Sequence, residues 1–286
     1  MDEKELSIAV PASVVSDIPH LRERTSAVGV IGRAAAIFRV GEIIVYPDDP
    51  HGDQSNESSL IRLLLAYMDT PQYLRKRLFK LRPELRYAGV LPPLRTSHHP
   101  LKRKMKSLSI GEYREGVVLF GRNGGVLVDI GVEKPAFIPN TKLPKGQRIT
   151  LRVTKLDRDL EARQAARDEI SQYWGYTVAV ERHPFGEIMR RRGFDLKVAT
   201  SRYGSELNNV AGSLTAKWEE ACSILVAFGA PSQGLYEIVG QEGLNLEDIM
   251  DFVVNTVPMQ GTETIRTEEA IFASLAVLNM KLAFKA

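Results

Sequence analysis

DFVVNTVPMQGTETIRTEEAIFASLAVLNMKLAFK, residues 251–285, predicts a strand, a polar loop and a helix in direct succession. The run Phe252-Val253-Val254 has the bulk and β-branching of a buried strand. A polar loop follows over residues 255–264, and Thr267 is then placed to cap a helix that runs to Lys285. Because ligands of open α/β sheets bind outside the carboxyl ends of strands, this succession predicts a binding crevice.

The segment before it has the same order of elements. Residues 223–228 predict a strand, and the glycine-bearing loop Gly229 to Leu235 follows at once. A third strand-like run, residues 195–199, leads into Thr200-Ser201-Arg202. Glycine after a strand lets the backbone approach a ligand, because no Cβ stands in the way. One such loop alone is an ordinary turn, whereas three strand ends of this kind favour a ligand site.

Several stretches resemble a known family. FGAPSQGL (228–235) and NTVPMQGTETIRTEEA (255–270) resemble the two C-terminal cofactor motifs of the SPOUT class of RNA methyltransferases, and TSAVGVIGRAAAIF (25–38) resembles its first motif. LAYMDTPQYLR (65–75) and YAGVLPPLR (87–95) are similar to the archaeal and eukaryotic branch of rRNA methyltransferases with an inserted β-barrel. The resemblance spans nearly the whole chain.

The resemblance implies an α/β domain whose C-terminal segment is threaded into a trefoil knot, S-adenosyl-L-methionine as cofactor, RNA as substrate and a homodimer. Its eukaryotic members imply large-subunit rRNA, with a uridine ring nitrogen as acceptor. The cofactor-binding residues that it implies are Thr200, Arg202, Gly229, Gly234, Leu235, Asn255, Thr256, Val257, Gln260, Gly261 and Thr264. No metal site is expected.

The resemblance also implies a catalytic role for Arg33. In the ribose-methylating branch of the class, an arginine of the first motif approaches the acceptor, and Arg33 stands at the matching place. The chain departs from that pattern at residues 25–26, where asparagine is common, and at Arg39, where glycine is usual. A protonated arginine suits RNA phosphate or developing negative charge. The alternative is a surface arginine at a helix start.

Composition limits the remaining classes. The chain has 286 residues, with 38 Lys and Arg against 35 Asp and Glu. The basic runs at residues 102–106 and 190–192 are either solvated surface or RNA contacts. Cys222, the single cysteine, excludes a disulfide framework and is expected to be buried and inert. No apolar run approaches the roughly 20 residues of a membrane span, and Met1 to Glu5 are too polar for a signal peptide, so we expect a cytoplasmic protein without membrane contact.

The rest of the chain predicts two kinds of structure. In residues 1–95 and 168–286, strands alternate with helices, including a helix capped by Ser58 or Ser59, and this alternation predicts a mostly parallel sheet. Residues 96–167 carry short β-like pieces with glycine turns, which predict a small inserted β-barrel of the OB type. Such barrels often bind single-stranded RNA. The predicted fold class is therefore α/β, a SPOUT-type domain interrupted by a barrel.

Two function classes remain open. There is no G-x-x-x-x-G-K-[ST] and no G-x-S-x-G, so P-loop hydrolysis and a nucleophile elbow have no support. The first class is a methyltransferase that uses S-adenosyl-L-methionine on RNA. The second is a non-catalytic RNA-binding or ribosome-assembly protein with the same fold. A small-molecule enzyme is a weaker third choice, because the inserted barrel argues against it.

Overall fold

The computed structural model describes residues 4–122 and 124–282, which form two compact units. The sheet unit consists of the described residues of 1–66, 86–92 and 176–286. The barrel unit consists of those of 67–85 and 93–175. Residues 67–85, which lie in the first α/β segment along the sequence, thus group with the barrel. No described helix is both long and apolar enough to cross a bilayer.

The secondary structure alternates between strands and helices outside the barrel. The strands are β1 (Glu5–Pro11), β2 (Glu42–Tyr46), β3 (Tyr113–Arg122), β4 (Gly125–Asp129), β5 (Ala136–Pro139), β6 (Arg148–Leu156), β7 (Leu160–Gln164), β8 (Thr177–Val180), β9 (Leu196–Glu206), β10 (Ser223–Ala227) and β11 (Phe252–Asn255). The α-helices are α1 (Leu21–Ile37), α2 (Ser55–Asp69), α3 (Gln72–Leu78), α4 (Phe185–Arg191), α5 (Leu207–Glu220), α6 (Leu235–Gln241), α7 (Leu246–Ile249) and α8 (Thr267–Leu282).

The sheet unit contains six strands in the order β11-β9-β10-β1-β2-β8, and every neighbouring pair is parallel. Strand β1, one of the two central strands, pairs Ile8 with Val226 of β10 on one side and with Ile43 of β2 on the other. All three side chains are fully buried. Buried parallel strands are near-continuous apolar runs, and the predicted parallel α/β sheet is confirmed.

Three local predictions were wrong. Helix α2 begins at Ser55 rather than at Ser58 or Ser59, because Asp53 accepts the N–H of Ser55 at 3.0 Å. Cys222 is exposed, since it lies in the turn before β10. Thr267 does not cap α8: its hydroxyl donates to the carbonyl of Gly229 at 3.0 Å. The carboxylate of Glu269 instead accepts the N–H of Arg266 at the start of that helix. Lys285 lies outside the described residues.

The barrel unit contains a closed five-stranded barrel in the order β3-β4-β5-β7-β6, as the short strands predicted. Its pairs are antiparallel except β5 with β7, which is parallel. The interior is apolar and well filled. Its fully buried members include Val128, Ala136 and Leu151. At Gly116 a Cβ would lie 2.5 Å from the side chain of Val128, so packing requires glycine there.

A buried polar network lies in the same unit. The carboxylate of Glu115, 3% exposed as a residue, accepts bonds from the Trp174 indole N–H (2.6 Å), the Thr150 hydroxyl (2.6 Å) and the Arg148 guanidinium (2.7 Å). Arg148 also donates to the carboxylate of Asp69 at 3.0 Å. Burial would raise the pKa of Asp69, but His98 and Arg148 together hold it below its usual value. Each buried charge of the network is therefore compensated.

We predict that His99 makes stability fall as the pH is lowered from neutrality. Burial, reinforced by the charge of His98, lowers the pKa of His99 to about 4. An unfolded histidine takes up its proton near about pH 6.5. Below that pH the unfolded chain binds a proton that the folded chain does not, so stability decreases until the folded pKa is reached. By about pH 5 the loss should be on the order of 2 kcal/mol.

Urea unfolding at neutral pH and at about pH 5 measures this loss. The control is His99→Gln, which keeps a donor for the Asp69 carbonyl that His99 Nε2 contacts at 2.9 Å. The variant should lose less stability between the two pH values than the parent protein. An unchanged pH dependence would contradict the assignment to His99.

Candidate functional site

A cavity of about 220 Å³ lies in the sheet unit, at the carboxyl ends of β9, β10 and β11. It is bounded by residues 200–203, 228–234 and 255–257, and by the loop and first turns of α8. Its lining mixes apolar groups such as Phe228 and Ile265 with hydroxyl and amide side chains. A concave, partly apolar crevice with a few directed polar groups is the usual form of a small-molecule site.

Strand β9 supplies one wall because it leaves its ladder with β11. Val253 pairs with Ala199, but the next residue, Val254, pairs with Ser205. Residues 200–204 therefore have no partner on β11 and form a bulge. A bulge re-aims side chains, and here it carries four residues that line the cavity, Thr200 to Tyr203. Gly204 makes the bulge possible, since a Cβ there would lie 2.7 Å from the backbone of Val253.

Hydrogen bonds between the segments hold the cavity walls in place. Thr200 donates its hydroxyl to the carbonyl of Ala227 at 2.9 Å, which ties β9 to the end of β10. The Thr256 and Ser274 hydroxyls lie 2.7 Å apart and join the loop after β11 to α8. These two bonds link elements that are far apart in sequence, and they fix the cavity walls relative to one another.

Asn255 orders the loop after β11 through both polar atoms of its side-chain amide. Its Nδ2 donates to the carbonyl of Arg202 at 3.0 Å, and its Oδ1 accepts the N–H of Val257 at 3.0 Å. The second of these bonds is an Asx turn, which directs the chain out of the strand. Replacement by a residue without both groups would separate the β9 bulge from the β11 loop.

Gly229 lies where the loop after β10 leaves the least space for a side chain. A Cβ built there would lie 3.1 Å from the carbonyl oxygen of Gln233 and 3.1 Å from the nitrogen of Leu235. The turn is closed by the N–H of Ala230, which donates to the carbonyl of Gln233 at 2.8 Å. A side chain at Gly229 must therefore displace backbone, whereas nothing lies within 4 Å of a Cβ at Gly234.

Nine of the eleven residues implied as cofactor-binding line this one cavity. They are Thr200, Arg202, Gly229, Gly234, Asn255, Thr256, Val257, Gln260 and Thr264. Leu235 does not line it, because its side chain is fully buried in the core as the first residue of α6. Gly261 is exposed and is also outside the lining.

Other residues that line the cavity were not predicted from the sequence. The face of α8 toward the cavity consists of Thr267, Ala270 and Ser274. Their helical spacing and small size are a signal that could have found them. Tyr203 and Tyr236 were missed because nothing in their neighbourhood along the chain marks them as site residues.

The lining carries a few titratable groups. The Arg202 guanidinium lies 4.7 Å from the centre of the Tyr203 ring and donates to the carbonyl of Glu263 at 2.7 Å. Burial, and then its hydrogen bond to Glu247, raises the pKa of Tyr236 to about 12, so this phenol stays protonated at neutral pH. Among the described residues, no group of three His, Cys, Asp or Glu is placed to hold a metal ion.

Arg33 lies just before the last turn of α1 and is partly buried, not at a helix start. It is not among the residues that line the cavity. Its helix packs against α8, as shown by the edge-on contact of the Phe38 and Phe272 rings, with centroids 5.7 Å apart. Arg33 is therefore on an element next to the helix that forms one cavity wall.

Comparison with known proteins identifies the family. Residues 5–278 match the model of a family described as "putative RNA methyltransferase". The chain is 34% identical to an uncharacterized protein of Halobacterium salinarum, over 96% of this chain and 98% of that protein. It is also 34% identical to proteins named 28S rRNA (uridine-N(3))-methyltransferase of Mus musculus and Homo sapiens. Both matches cover 96% of this chain, and 75% and 77% of those proteins respectively. The chain belongs to this family of RNA methyltransferases.

Proposed function

We propose that the protein is an S-adenosyl-L-methionine-dependent methyltransferase that modifies a uridine ring nitrogen of large-subunit rRNA. The observation that carries the proposal is the convergence of three strand-end loops on one cavity at the carboxyl edge of a parallel sheet. The names of the mouse and human relatives supply the substrate class and the N3 position.

The residues present fit this cofactor. Because Gly229 has no side chain, the loop after β10 closes tightly and its backbone groups lie next to the cavity. Thr200, Thr256 and the Arg202 guanidinium add polar groups on the other walls. When bound, the cofactor supplies a methyl group on a sulfonium sulfur.

The chain's own contribution is positioning. Methyl transfer requires the acceptor in line with the bond that breaks and at near-attack distance, and a rigid site supplies this geometry. The bonds of Thr200, Asn255 and Thr267 hold the three loops together for that purpose. A uridine N3 also loses its proton during the reaction. A protonated arginine near the acceptor would stabilise the negative charge that develops on the base.

We predict that Arg33→Ala folds and binds S-adenosyl-L-methionine but transfers methyl groups at least about tenfold more slowly. The reason is the loss of a fixed positive charge near the acceptor. Single-turnover transfer of a tritium label to RNA and calorimetric titration of the cofactor separate the two effects. Arg39→Ala, at an exposed arginine just after the same helix, serves as the control. Near-normal transfer by the Arg33 variant would remove this residue from the site.

We further propose the trefoil knot and the homodimer that the resemblance implies. The loop after β11 and α8 would form the threaded segment. The exposed side chains of Ile37 (45%) and Met280 (58%), on the packed helices α1 and α8, are consistent with a subunit contact. A monomer-sized species at micromolar concentration in analytical ultracentrifugation would contradict the dimer. A cytoplasmic location stays a prediction from the sequence.

Methyl transfer itself tests the function. Purified protein is incubated with tritium-labelled S-adenosyl-L-methionine and total RNA, and the labelled nucleoside is mapped. Label in 3-methyluridine of large-subunit rRNA is the expected result. Retention of RNA without transfer would favour the second candidate, a non-catalytic RNA-binding protein.

A further inference from the structure

Charge is divided unequally between the two units. The barrel unit, residues 67–85 and 93–175, contains 21 Lys and Arg against 11 Asp and Glu, a net charge of +10. The whole chain carries 38 against 35, so the remaining residues have 17 against 24, a net charge of −7. The net charge of the whole chain is thus close to zero although the barrel unit is strongly basic. A basic unit of this kind has the electrostatic character of a nucleic-acid-binding domain.

Part of this charge is neutralised within the unit. Arg148 pairs with Asp69 and Glu115, Lys155 with Glu161, Arg163 with Glu169, and Arg77 with Asp129. Two segments, residues 76–82 and 103–106, hold six exposed cationic side chains that form no ion pair with a carboxylate of the described residues. They are Lys76, Lys80, Arg82, Arg103, Lys104 and Lys106.

Buried Arg114 brings these two segments to one end of the barrel. Its side chain is fully buried, and its guanidinium lies 5.3 Å from the centre of the Tyr73 ring on α3. The same guanidinium donates to the carbonyl of Lys102 at 3.2 Å and to that of Ile130 at 3.0 Å. One buried side chain thus contacts both α3, whose last turn begins the first segment, and Lys102, the residue just before the second segment.

Two more contacts fix this arrangement. Arg77 pairs with Asp129 at the end of β4, and the Tyr73 ring occupies the space beside Gly131, where a Cβ would lie 2.3 Å from it. On the other segment, the N–H of Met105 donates to the carboxylate of Glu133 at 2.9 Å. Both segments are therefore attached to the connection between β4 and β5.

We infer that these two segments form an RNA-binding surface, which we call the basic surface, in which the six unpaired cations contact phosphates. The inference rests on the proposed function for the choice of RNA as the polyanion. Phosphate contacts supply affinity and position the RNA but do not read its sequence. The surface would therefore hold rRNA in place, while the choice of nucleotide is made elsewhere.

Matched double charge reversals in the full-length protein test this assignment. One variant combines Lys76→Glu with Lys80→Glu, and a second combines Arg103→Glu with Lys104→Glu. The control combines Lys142→Glu with Lys145→Glu, which reverses two exposed lysines of the same unit in the loop before β6. Binding of a fluorescein-labelled oligouridylate is measured by anisotropy over a range of salt concentrations, with thermal unfolding to confirm that each variant folds.

Each basic-surface variant should bind the oligouridylate roughly tenfold more weakly than the parent. Its slope of log affinity against log salt should fall by about 1.4, at about 0.7 for each phosphate that the variant no longer neutralises. The control should change affinity by less than about twofold. Equal weakening by all three variants, or no weakening by either basic-surface pair, would overturn the inference. Competition by polyglutamate as strong as that by unlabelled RNA would also overturn it, since the surface would then suit an acidic protein.

The same preparations separate this inference from the proposed function. Parent protein that binds the oligouridylate through the basic surface but transfers no methyl group refutes the methyltransferase and leaves the surface intact. If the parent protein transfers methyl groups and the two basic-surface variants bind RNA and react as the parent does, only the inference about the surface is refuted.

Discussion

Gly229→Trp is expected to weaken S-adenosyl-L-methionine binding by at least about a hundredfold, equivalent to roughly 2.7 kcal/mol. Even a Cβ at this position lies 3.1 Å from two backbone atoms of the facing turn, so the substitution displaces the loop. The indole must in addition occupy part of a cavity of about 220 Å³. Isothermal titration calorimetry of the purified variant measures the loss directly.

Gly234→Ala is the matched control for this variant. Gly234 lines the same cavity, has a φ of −74° and has no atom within 4 Å of a Cβ. Alanine should therefore fit without displacing backbone and leave the affinity within about threefold of the parent. If the tryptophan variant folds and binds the cofactor as tightly as the parent, the cavity at the ends of β9, β10 and β11 is not the cofactor site.

Glu115→Ala is expected to destabilise the barrel unit by about 3–5 kcal/mol. The carboxylate accepts three hydrogen bonds, from Trp174, Thr150 and Arg148. Its removal leaves the partly buried Arg148 with only Asp69 as a charged partner, and leaves the indole N–H buried without an acceptor. An unsatisfied buried donor costs about 1–3 kcal/mol, and an uncompensated buried charge costs more.

Urea unfolding followed by tryptophan fluorescence measures this effect in the barrel unit. The chain has two tryptophans, so Trp218→Phe leaves Trp174 as the reporter within the barrel unit. Glu161→Ala is the control, because its partner Lys155 is exposed and Glu161 itself is only partly buried, so that their pair contributes at most about 1 kcal/mol. Equal destabilisation by the two substitutions would show that the buried bonds of Glu115 contribute no more to stability than the Glu161–Lys155 pair.

The strands and the loops that line the cavity could be predicted from the sequence, because their signals are local. Phe252-Val253-Val254 and residues 223–228 are short apolar runs bounded by polar, glycine-bearing loops, and they form β11 and β10. Short apolar runs with β-branched residues and flanking glycine favour buried parallel strands over helices. The barrel was predictable for a similar reason, since closely spaced glycine turns leave no room for crossover helices.

Other features depend on contacts that no local pattern contains. The hydroxyl of Thr267 suits a helix cap in sequence, but the packing of α8 places it against the Gly229 carbonyl, 38 residues away. The β9 bulge depends on the close approach of Gly204 to Val253 on another strand. Leu235 has a motif position that suggests a ligand contact, yet its apolar side chain lies in the core.

The fold class and the three cavity loops thus follow from the sequence, because backbone preference and apolar periodicity act between residues close together in the chain. The joining of residues 67–85 to the barrel, through contacts such as that of Arg148 with Asp69, follows only from tertiary packing. The same holds for the meeting of two basic segments around Arg114. The physical reason is that the interaction of a buried charge with its partners depends on their distance in the folded structure. The separation of the residues along the sequence does not determine that distance.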